Sequence, residues 1–444
     1  MTNIRGALYN LTCKIRGIQV PRYLREIREA DASGRIAALT ADKLQMLLLH
    51  SQKSVPYYRQ LFQDREIKSF DNPIETLRLL PQLSKPLLRQ FSRELRSNDL
   101  SSRSWYENTS GGSTGEPVRL VQDREYRERS AAATELYSSF AGCKFGERRL
   151  HLWGSERDLF NGKVPWRTRF GNWLRNVQLL NAFCMTPERM RRYLQTINTY
   201  RPRLMICYAQ AIYELARFAE TERIAVMPPG AIITTAGTLY PFMREKITAV
   251  FGCRIFNRYG SREVSMIAGE RPDIAGMIVS NSNNYLEVVD AAGNPLPAGV
   301  EGEILVTNLA NFSMPLLRYA IGDRGIMADP SVCYGRQILI KVSGRNVDVF
   351  RKADGTLIDG EYFTHLLYFR DWLAKFQVVQ RTTSQVVFKL VLRSECPPED
   401  LDDIRSKTCF VLGADTQVDF EMLDDISESA SGKYRYTISE VSAN

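Results

Sequence analysis

Residues 108–118, with the sequence NTSGGSTGEPV, concentrate glycine and hydroxyl side chains in one short segment. Glycine lets successive backbone N–H groups turn toward one centre, and serine and threonine add further donors, so such a segment can bind phosphate. The spacing is not that of a Walker loop, because Gly115 is followed by Glu116 and Pro117 rather than by Lys and a hydroxyl residue. A flexible surface linker has the same composition, and the segment alone does not decide between the two.

Five further short motifs follow along the chain, and each contains residues that suit a nucleotide or a charged ligand. In order they read TTAGTLYP, NRYGSREV, LRYAIGDRG, GRNVDVF and SGKYRY. Taken singly, each motif is also explained by a turn, a surface salt bridge or a solvated tail.

This ordered set resembles the adenylate-forming superfamily of acyl- and aryl-CoA synthetases, and within it most resembles the phenylacetate-CoA ligase and CapK-like branch. The resemblance extends over nearly the whole chain, since SVPYYRQLF near residue 54 is similar to the amino-terminal helical region of that branch. It implies an enzyme that uses ATP and Mg²⁺ to join AMP to a carboxylic acid, with loss of pyrophosphate, and that then passes the acyl group to coenzyme A.

By this resemblance, the glycine-rich loop binds the β- and γ-phosphates of ATP through Ser113, Thr114 and Gly115. The loop departs from the family pattern at two positions, because Gly111 stands where a hydroxyl residue is common and Glu116 stands where Lys is common. The second departure puts a lysine contact to phosphate from this loop in doubt.

The middle motifs would surround the adenosine and the α-phosphate. Residues 236–238 match the adenine-lining turn, Tyr259 matches the aromatic that stacks on adenine, and Ser261 lies where a side chain can reach the α-phosphate. The nucleotide-binding residues implied in these two motifs are Ala236, Gly237, Thr238, Tyr259, Gly260 and Ser261.

Charged residues complete the implied site. Glu263 matches the carboxylate that holds Mg²⁺ between the phosphates, and Asp323 matches the acid that binds both ribose hydroxyls. Arg345 matches the arginine that contacts ribose or phosphate beside the hinge, and Asp348 stands where the small domain begins. Lys433 matches a mobile lysine, whose cation can offset the negative charge that builds when a carboxylate attacks the α-phosphorus. Glu263 and Lys433 are thus the implied catalytic residues, and Glu263 is the implied metal ligand.

Hydrophobic periodicity predicts the elements that must position these motifs. The first hundred residues read as helices with a break at Val55-Pro56, and residues 124–143 read as a helix directly after the glycine-rich segment. Around the middle motifs, short apolar runs alternate with amphipathic segments, which predicts parallel βαβ units with the motifs at the carboxyl ends of the strands. From Tyr285 onward, period-2 alternation predicts an antiparallel hairpin.

The predicted fold is α/β and has two parts. A large amino-terminal domain, residues 1–343, contains parallel βαβ sheets and a β sub-domain and would bind ATP and the carboxylate. A small mobile α+β domain, residues 344–444, would carry the mobile lysine. The acid pocket is expected between the adenine turn and residues 151–213, where Trp153, Phe183 and Tyr208 would line an apolar cavity, although packing in the core explains these aromatics at least as well.

Composition restricts the class of protein. Of 444 residues, 44% are hydrophobic and 25% charged, which is typical of folded globular proteins. The chain has no run near the roughly 20 apolar residues of a transmembrane segment, so a cytoplasmic location is expected, with peripheral membrane contact left open. Eight scattered Cys and three His favour neither a disulfide framework nor a zinc site. The net charge of +9 favours anionic ligands such as coenzyme phosphates.

Other functions remain open on the sequence alone. Transfer of the acyl group to an amine is the alternative to coenzyme A, and a nucleotide-binding relative that has lost catalysis is a further one. The basic and aromatic stretches PWRTRFGNWLRNVQ and ERMRRYLQTINTYRPR are better explained as amphipathic helix faces than as nucleic-acid binding. They also suit a coenzyme phosphate, a membrane surface or the partner in a homodimer. The sequence does not identify the carboxylic acid.

Overall fold

The computed structural model describes residues 4–109, 118–154, 166–183, 185–329, 335–343, 349–367, 370, 372–426 and 436–441. As the sequence predicts, helices fill most of the amino-terminal hundred residues. They are α1 (Ile4–Arg16), α2 (Val20–Ala32), α3 (Ile36–Ser54), α4 (Pro56–Asp64), α5 (Pro73–Arg78), α6 (Lys85–Gln90) and a 3₁₀ turn (Leu100–Ser102). The predicted break at Val55-Pro56 is confirmed, because Pro56 lacks the N–H that would continue α3 and instead occupies the first turn of α4.

A hairpin follows the helices and frames the glycine-rich segment. Its strands, β1 (Trp105–Thr109) and β2 (Arg119–Asp123), pair antiparallel. β2 leads directly into α7 (Arg124–Phe140), and the Asp123 carboxylate caps this helix by accepting a hydrogen bond from Tyr126 N at 2.8 Å. The helix predicted after the glycine-rich segment is therefore confirmed.

One half of the central sheet is parallel. Its further elements are β3 (Arg149–Trp153), α8 (Trp166–Arg175), β4 (Val177–Asn181), α9 (Pro187–Tyr200), β5 (Leu204–Tyr208), α10 (Ala209–Thr221), β6 (Ala231–Thr235), α11 (Pro241–Phe251) and β7 (Arg254–Ser261). Strands β5, β6 and β7 pair in parallel and are joined by α10 and α11, which confirms the predicted βαβ units. β5 and β6 are buried along their whole length, as expected for strands covered on both faces.

The other half of the sheet is antiparallel. Its strands are β8 (Ser265–Arg271), β9 (Ile274–Val279), β10 (Asn284–Val289), β11 (Glu301–Asn308), β12 (Tyr319–Met327) and β13 (Ile338–Ser343). β7 pairs in parallel with β6 and antiparallel with β8, so the two halves form one sheet. In the described residues its order is β10-β11-β12-β13-β9-β8-β7-β6-β5-β3-β4.

The predicted hairpin of β10 and β11 is confirmed, but the antiparallel region begins earlier than Tyr285, at β8. The central residues of β8 and the last residues of β9 are buried without alternation. Because these segments are covered on both faces, the period-2 pattern that marks a half-buried strand is missing from their sequence.

The antiparallel half curves strongly. Asn284 Nδ2 on β10 donates a hydrogen bond to Met266 O on β8 at 2.8 Å, and Asn308 Nδ2 donates to Asn284 Oδ1 at 2.8 Å. Five steps of the sheet order separate β10 from β8, which would be about 24 Å in a flat sheet. The buried asparagines therefore bridge strands that only a curved, barrel-like sheet can bring together.

The carboxyl-terminal segment forms a separate layer. Its elements are β14 (Val349–Arg351), β15 (Leu357–Asp359), α12 (Glu361–Leu367), β16 (Leu373–Thr382), β17 (Gln385–Leu392), α13 (Pro398–Leu412), β18 (Gln417–Met422) and β19 (Thr437–Ser439). Four of the strands form a sheet of order β18-β17-β16-β19, which confirms the predicted α+β unit. It packs on the parallel half, where Arg351 Nη2 lies 3.0 Å from Glu214 Oε1. Among the described helices, none is long and apolar enough to cross a membrane.

Candidate active site

The turn after β6 forms the first part of the candidate site. Ala236 has a backbone φ of 57°, in the left-handed region. This conformation costs energy for a residue with a Cβ, and such outliers are concentrated where a site fixes the backbone. The next residue, Gly237, is not crowded, because a Cβ added there would lie 3.7 Å from the Cβ of Ala209. The turn at residues 236–238 therefore holds a strained backbone at the carboxyl end of β6.

The turn between β7 and β8 forms the second part. A Cβ added to Gly260 would lie 2.6 Å from Ser265 O, so the two strands can approach this closely only with glycine at this position. The hydroxyl of Ser261 accepts a hydrogen bond from Val264 N at 3.4 Å. This tight turn presents Glu263 at its tip.

Glu263 is held from several directions. The Tyr319 hydroxyl donates a hydrogen bond to Glu263 Oε1 at 3.3 Å. The Glu263 carbonyl accepts from Gln122 Nε2 at 3.2 Å and from the Tyr126 hydroxyl at 3.3 Å. The residue is only 5% exposed, yet no ion pair joins it to any described Lys, Arg or His. A buried carboxylate without a cation partner is costly, and its position at the cavity wall suits it to a bound cation.

The β1–β2 hairpin is joined to this turn. Gln122 Nε2 also donates to Arg262 O at 3.1 Å, and Asn108 Nδ2 donates to Gln122 Oε1 at 2.9 Å. Thr109 pairs with Arg119 at the end of the hairpin, next to residues 110–117. Ser113, Thr114 and Gly115 lie outside the described residues, as do the two departures from the family pattern at positions 111 and 116. The hairpin strands that precede and follow these residues are hydrogen-bonded to the turn that carries Glu263.

A hydrogen bond joins Tyr259 and Asp323 across the curved sheet. The Tyr259 hydroxyl donates to Asp323 Oδ2 at 2.7 Å. β7 and β12 are four steps apart in the sheet order, about 19 Å if the sheet were flat. The closure of the sheet therefore brings together two side chains that the sequence assigned to different parts of one nucleotide.

A cavity of about 900 Å³ lies at the carboxyl ends of β6 and β7. This volume suits a ligand of nucleotide size. The predicted site residues that line it are Ala236, Gly237, Thr238, Tyr259, Gly260, Ser261, Glu263 and Asp323. Arg345, Asp348 and Lys433 lie outside the described residues.

Aromatic side chains form the wall of the cavity near β3 and β5. Trp153 and Tyr208 line it, with ring centroids 4.8 Å apart. Phe183 does not line it, because its side chain is fully buried in the core and packs edge-on against Tyr362. Of the three aromatics proposed for the acid pocket, two therefore face the cavity and one is a core residue.

Arg258 lines the cavity at this wall, and His151 is buried close to Arg258. The guanidinium of Arg258 lies 6.0 Å from the Trp153 ring centroid, and Arg258 lines the cavity without an ion pair to any described carboxylate. Desolvation lowers the pKa of Arg258 to about 10, so it remains a cation at neutral pH. Burial, together with nearby arginines, lowers the pKa of His151 to about 3, which keeps its imidazole neutral. Among the described residues, Arg258 therefore adds a cation to the aromatic wall formed by Trp153 and Tyr208.

The sequence is similar to a known domain family and to two named groups of proteins. Residues 350–440 match the family described as the CapK C-terminal domain. Protein CapK of Staphylococcus aureus is 22% identical over 99% of this chain and 96% of its own length. The phenylacetate-coenzyme A ligase of Aromatoleum evansii is 24% identical over 72% of this chain and 73% of its own length. These similarities support the adenylate-forming superfamily, and within it the CapK-like and phenylacetate-CoA ligase-like branch, as the group that this chain resembles.

Solved structures show a similar fold. A crystal structure of 2-hydroxyisobutyryl-CoA ligase in complex with an acyl-AMP, described as the postadenylation state, has a TM-score of 0.56. It is 17% identical, and the match covers 92% of this chain and 90% of the other. An open conformation of that ligase, with an acyl-AMP and CoA, has a TM-score of 0.52.

Three side chains of the candidate site were not assigned from the sequence. Gln122 supports the Glu263 turn, Tyr319 contacts the Glu263 carboxylate, and Arg258 lines the cavity near Trp153. Tyr319 lies in the motif LRYAIGDRG and Arg258 in the motif NRYGSREV, so the sequence already indicated that both are close to the site. Gln122 follows the glycine-rich segment, and its role depends on a contact across 141 positions of the chain.

Proposed function

We propose that this protein uses ATP to activate a carboxylic acid as an acyl-adenylate, with release of pyrophosphate, and then transfers the acyl group to coenzyme A. The observation that carries the proposal is the convergence on one cavity of three motifs from residues 236–323. The relative named as a phenylacetate-coenzyme A ligase and the ligase structure with a bound acyl-AMP support it.

In the proposed first step, a carboxylate oxygen of the acid attacks the α-phosphorus of ATP. The bond from that phosphorus to the β-bridging oxygen breaks, and pyrophosphate leaves with the electron pair. Residues 236–238 would line the adenine, and the Tyr259 ring would stack on it. Asp323 would accept the ribose hydroxyls. Because the Tyr259 hydroxyl already uses Asp323 Oδ2, the ribose contact would involve Oδ1 or the remaining lone pair of Oδ2.

A magnesium ion fits at Glu263. The carboxylate is buried, lines the cavity and has no cation partner in the described part of the chain. One carboxylate together with phosphate oxygens and water is a common ligand set for Mg²⁺ in phosphate-transfer sites. When bound, Mg²⁺ supplies charge neutralisation to the departing pyrophosphate. The Tyr319 hydroxyl would orient the carboxylate for this role.

The two domains would contribute different parts of the site. We place the ATP and acid sites in residues 1–343 and the mobile Lys433 in residues 344–444. Ser113, Thr114 and Gly115 would bind the β- and γ-phosphates, and Arg345 would contact ribose or phosphate beside the hinge. ATP and coenzyme A are abundant in the cytoplasm, where we place the reaction.

In the proposed second step, the thiol sulfur of coenzyme A bonds to the acyl carbon. The bond from that carbon to the phosphate oxygen breaks, AMP leaves with the electron pair, and the thiol proton passes to solvent. The aromatic wall formed by Trp153 and Tyr208 suits an aryl or similar acid. An amine acceptor would give an amide by the same displacement, and the experiment must separate the two.

The first test is exchange of radiolabelled pyrophosphate into ATP with a panel of aryl, indolyl, fatty and sugar acids. We expect exchange that depends on one class of acid and vanishes when the acid is omitted. If no acid in the panel supports exchange while calorimetry still detects ATP binding, the protein is a nucleotide-binding relative and the enzyme proposal is wrong. With the preferred acid, a single-turnover assay of the trapped adenylate then compares coenzyme A with amines.

A further inference from the structure

Helix α1 carries an apolar stripe that faces away from the rest of the protein. The stripe consists of Ile4, Leu8, Leu11 and Ile15, whose exposed fractions range from 37% for Leu8 to 76% for Ile15. With 3.6 residues per turn, the four side chains lie within about 60° of one another around the helix axis. Cys13, on the opposite side of the helix, is buried. The helix therefore packs by its other face and leaves a continuous apolar stripe in solvent.

Basic residues border this stripe on both sides. Arg5 and Arg16 lie about 90° to 110° to one side of it, and Lys14 lies about 90° to the other. Neither α1 nor α8 contains an acidic residue. Two carboxylates close to the buried face of α1 are already paired, Glu128 with Arg124 at 2.7 Å and Glu135 with Arg149 at 2.6 Å.

Exposed aromatics on α8 extend the apolar surface. Phe170 and Trp173, each about half exposed, stack with ring centroids 5.8 Å apart. Arg5 joins the two helices, because its guanidinium lies 5.1 Å from the Trp173 ring centroid and donates a hydrogen bond to Trp173 O at 3.0 Å. The α1–α8 surface, defined by the α1 stripe, Phe170, Trp173 and the bordering basic residues, is thus one patch.

An amphipathic helix with an apolar stripe, basic borders and neighbouring Trp and Phe has the features of a helix that lies in a membrane interface. Apolar patches of this kind on a protein surface usually mark an interaction site. A second copy of this chain fits poorly, since two such faces would bring only like charges together. We propose that the α1–α8 surface docks on an anionic lipid bilayer, with the stripe inserted among the headgroups and the basic residues facing the lipid phosphates.

The test is sedimentation of the full-length protein with vesicles of phosphatidylcholine alone or of phosphatidylcholine mixed equally with phosphatidylglycerol. We expect binding to the anionic vesicles and little binding to the neutral ones. Added salt should weaken the binding, because the basic residues act through the surface potential.

Two variants separate the apolar and the electrostatic contributions. Leu11→Ser with Ile15→Ser removes half of the stripe, and its control is Leu79→Ser, which changes an equally exposed leucine elsewhere. Lys14→Glu with Arg16→Glu reverses two border charges, and its control is Lys68→Glu with Arg93→Glu, which changes the net charge equally at exposed sites. Each basic residue near an anionic surface contributes about a factor of five, so we expect the charge reversal to lower the partition coefficient by at least about tenfold. The stripe variant should lower it by a similar factor, and the controls should bind as the unmodified protein does.

Circular dichroism and urea denaturation of each variant show whether it folds. Absence of binding to anionic vesicles would overturn the proposal, as would equal losses in the surface variants and their controls. A concentration-dependent dimer, seen by sedimentation velocity and abolished by the stripe variant, would show that a second copy covers this surface and would also overturn it. None of these readouts depends on the proposed reaction.

Discussion

At the residue scale, Glu263 gives the sharpest test of the proposed chemistry. Its carboxylate is buried at the cavity wall and lacks a cation partner among the described residues. Glu263→Gln keeps the shape and the contact with Tyr319 but removes the charge. A hydrogen bond or ligand contact to a charged group contributes about 1.5–3 kcal/mol, so we expect the Mg²⁺ concentration for half-maximal pyrophosphate exchange to rise about tenfold to a hundredfold.

Glu270→Gln is the matched control for this metal titration. Glu270 lines the same cavity, but its carboxylate already binds Arg244 at 2.6 Å and accepts a hydrogen bond from Asn257 N at 2.8 Å. Its loss should leave the Mg²⁺ requirement unchanged even if it lowers stability. An unchanged titration in Glu263→Gln, or equal shifts in both variants, would remove Glu263 from the metal ligands.

The residues that sequence reasoning found and those it missed differ in one physical respect. Tyr259, Glu263 and Asp323 lie in short motifs whose local pattern is visible, and the structure brings all three to one cavity. The contacts of Gln122 and Tyr319 with Glu263 arise only when the hairpin and the curved sheet close on the turn. Sequence periodicity reports local burial and cannot report such closure.

At the scale of the elements, the approach of β7 to β8 depends on Gly260. A Cβ at this position would lie 2.6 Å from a backbone oxygen of Ser265, which cannot move aside as a flexible side chain can. We expect Gly260→Ala to lower the free energy of unfolding by about 1–3 kcal/mol, as overpacking does, and to displace the Glu263 turn. Urea denaturation and pyrophosphate exchange measure the two effects.

Gly237→Ala is the control for Gly260→Ala, because it also replaces a glycine that lines the cavity but does not crowd the backbone. The added Cβ would make an ordinary contact of 3.7 Å with Ala209, and the residue has no positive φ. This variant should unfold at nearly the same urea concentration as the unmodified protein. If Gly260→Ala is equally stable and equally active, the close pairing of β7 and β8 is not what positions the turn.

The element pattern also explains why the βαβ units of β5, β6 and β7 were predicted and the start of the antiparallel half was not. A βαβ unit is visible in the sequence because a short apolar run is followed by a segment with the hydrophobic periodicity of an amphipathic helix, as in residues 204–261. β8 and β9 follow without a helix and are largely buried on both faces, so their sequence contains no such change. The two halves form one sheet because β7 pairs with both β6 and β8, and the sequence of a single segment does not show which strands it will pair with.

At the scale of the whole molecule, adenylation as proposed needs a cation from the small domain at a site built by the large one. The carboxyl-terminal unit packs against the parallel half through Arg351 and the buried Glu214, and through Tyr362 against Phe183. Lys433 lies outside the described residues, so its role stays a prediction from the sequence.

We expect Lys433→Ala to lower the rate of acid-dependent pyrophosphate exchange by about 10²–10³, the usual cost of removing one group that stabilises developing charge. ATP affinity, measured by calorimetry, should change little, because the cation acts on the transition state rather than on bound ATP. Lys375→Ala is the control, since it removes a surface lysine of the same domain that is paired with Asp425. With preformed adenylate, transfer to the acceptor should be less affected than exchange. Equal loss in both half-reactions would mean that Lys433 supports the fold or the site as a whole and does not act as a cation specific to adenylation.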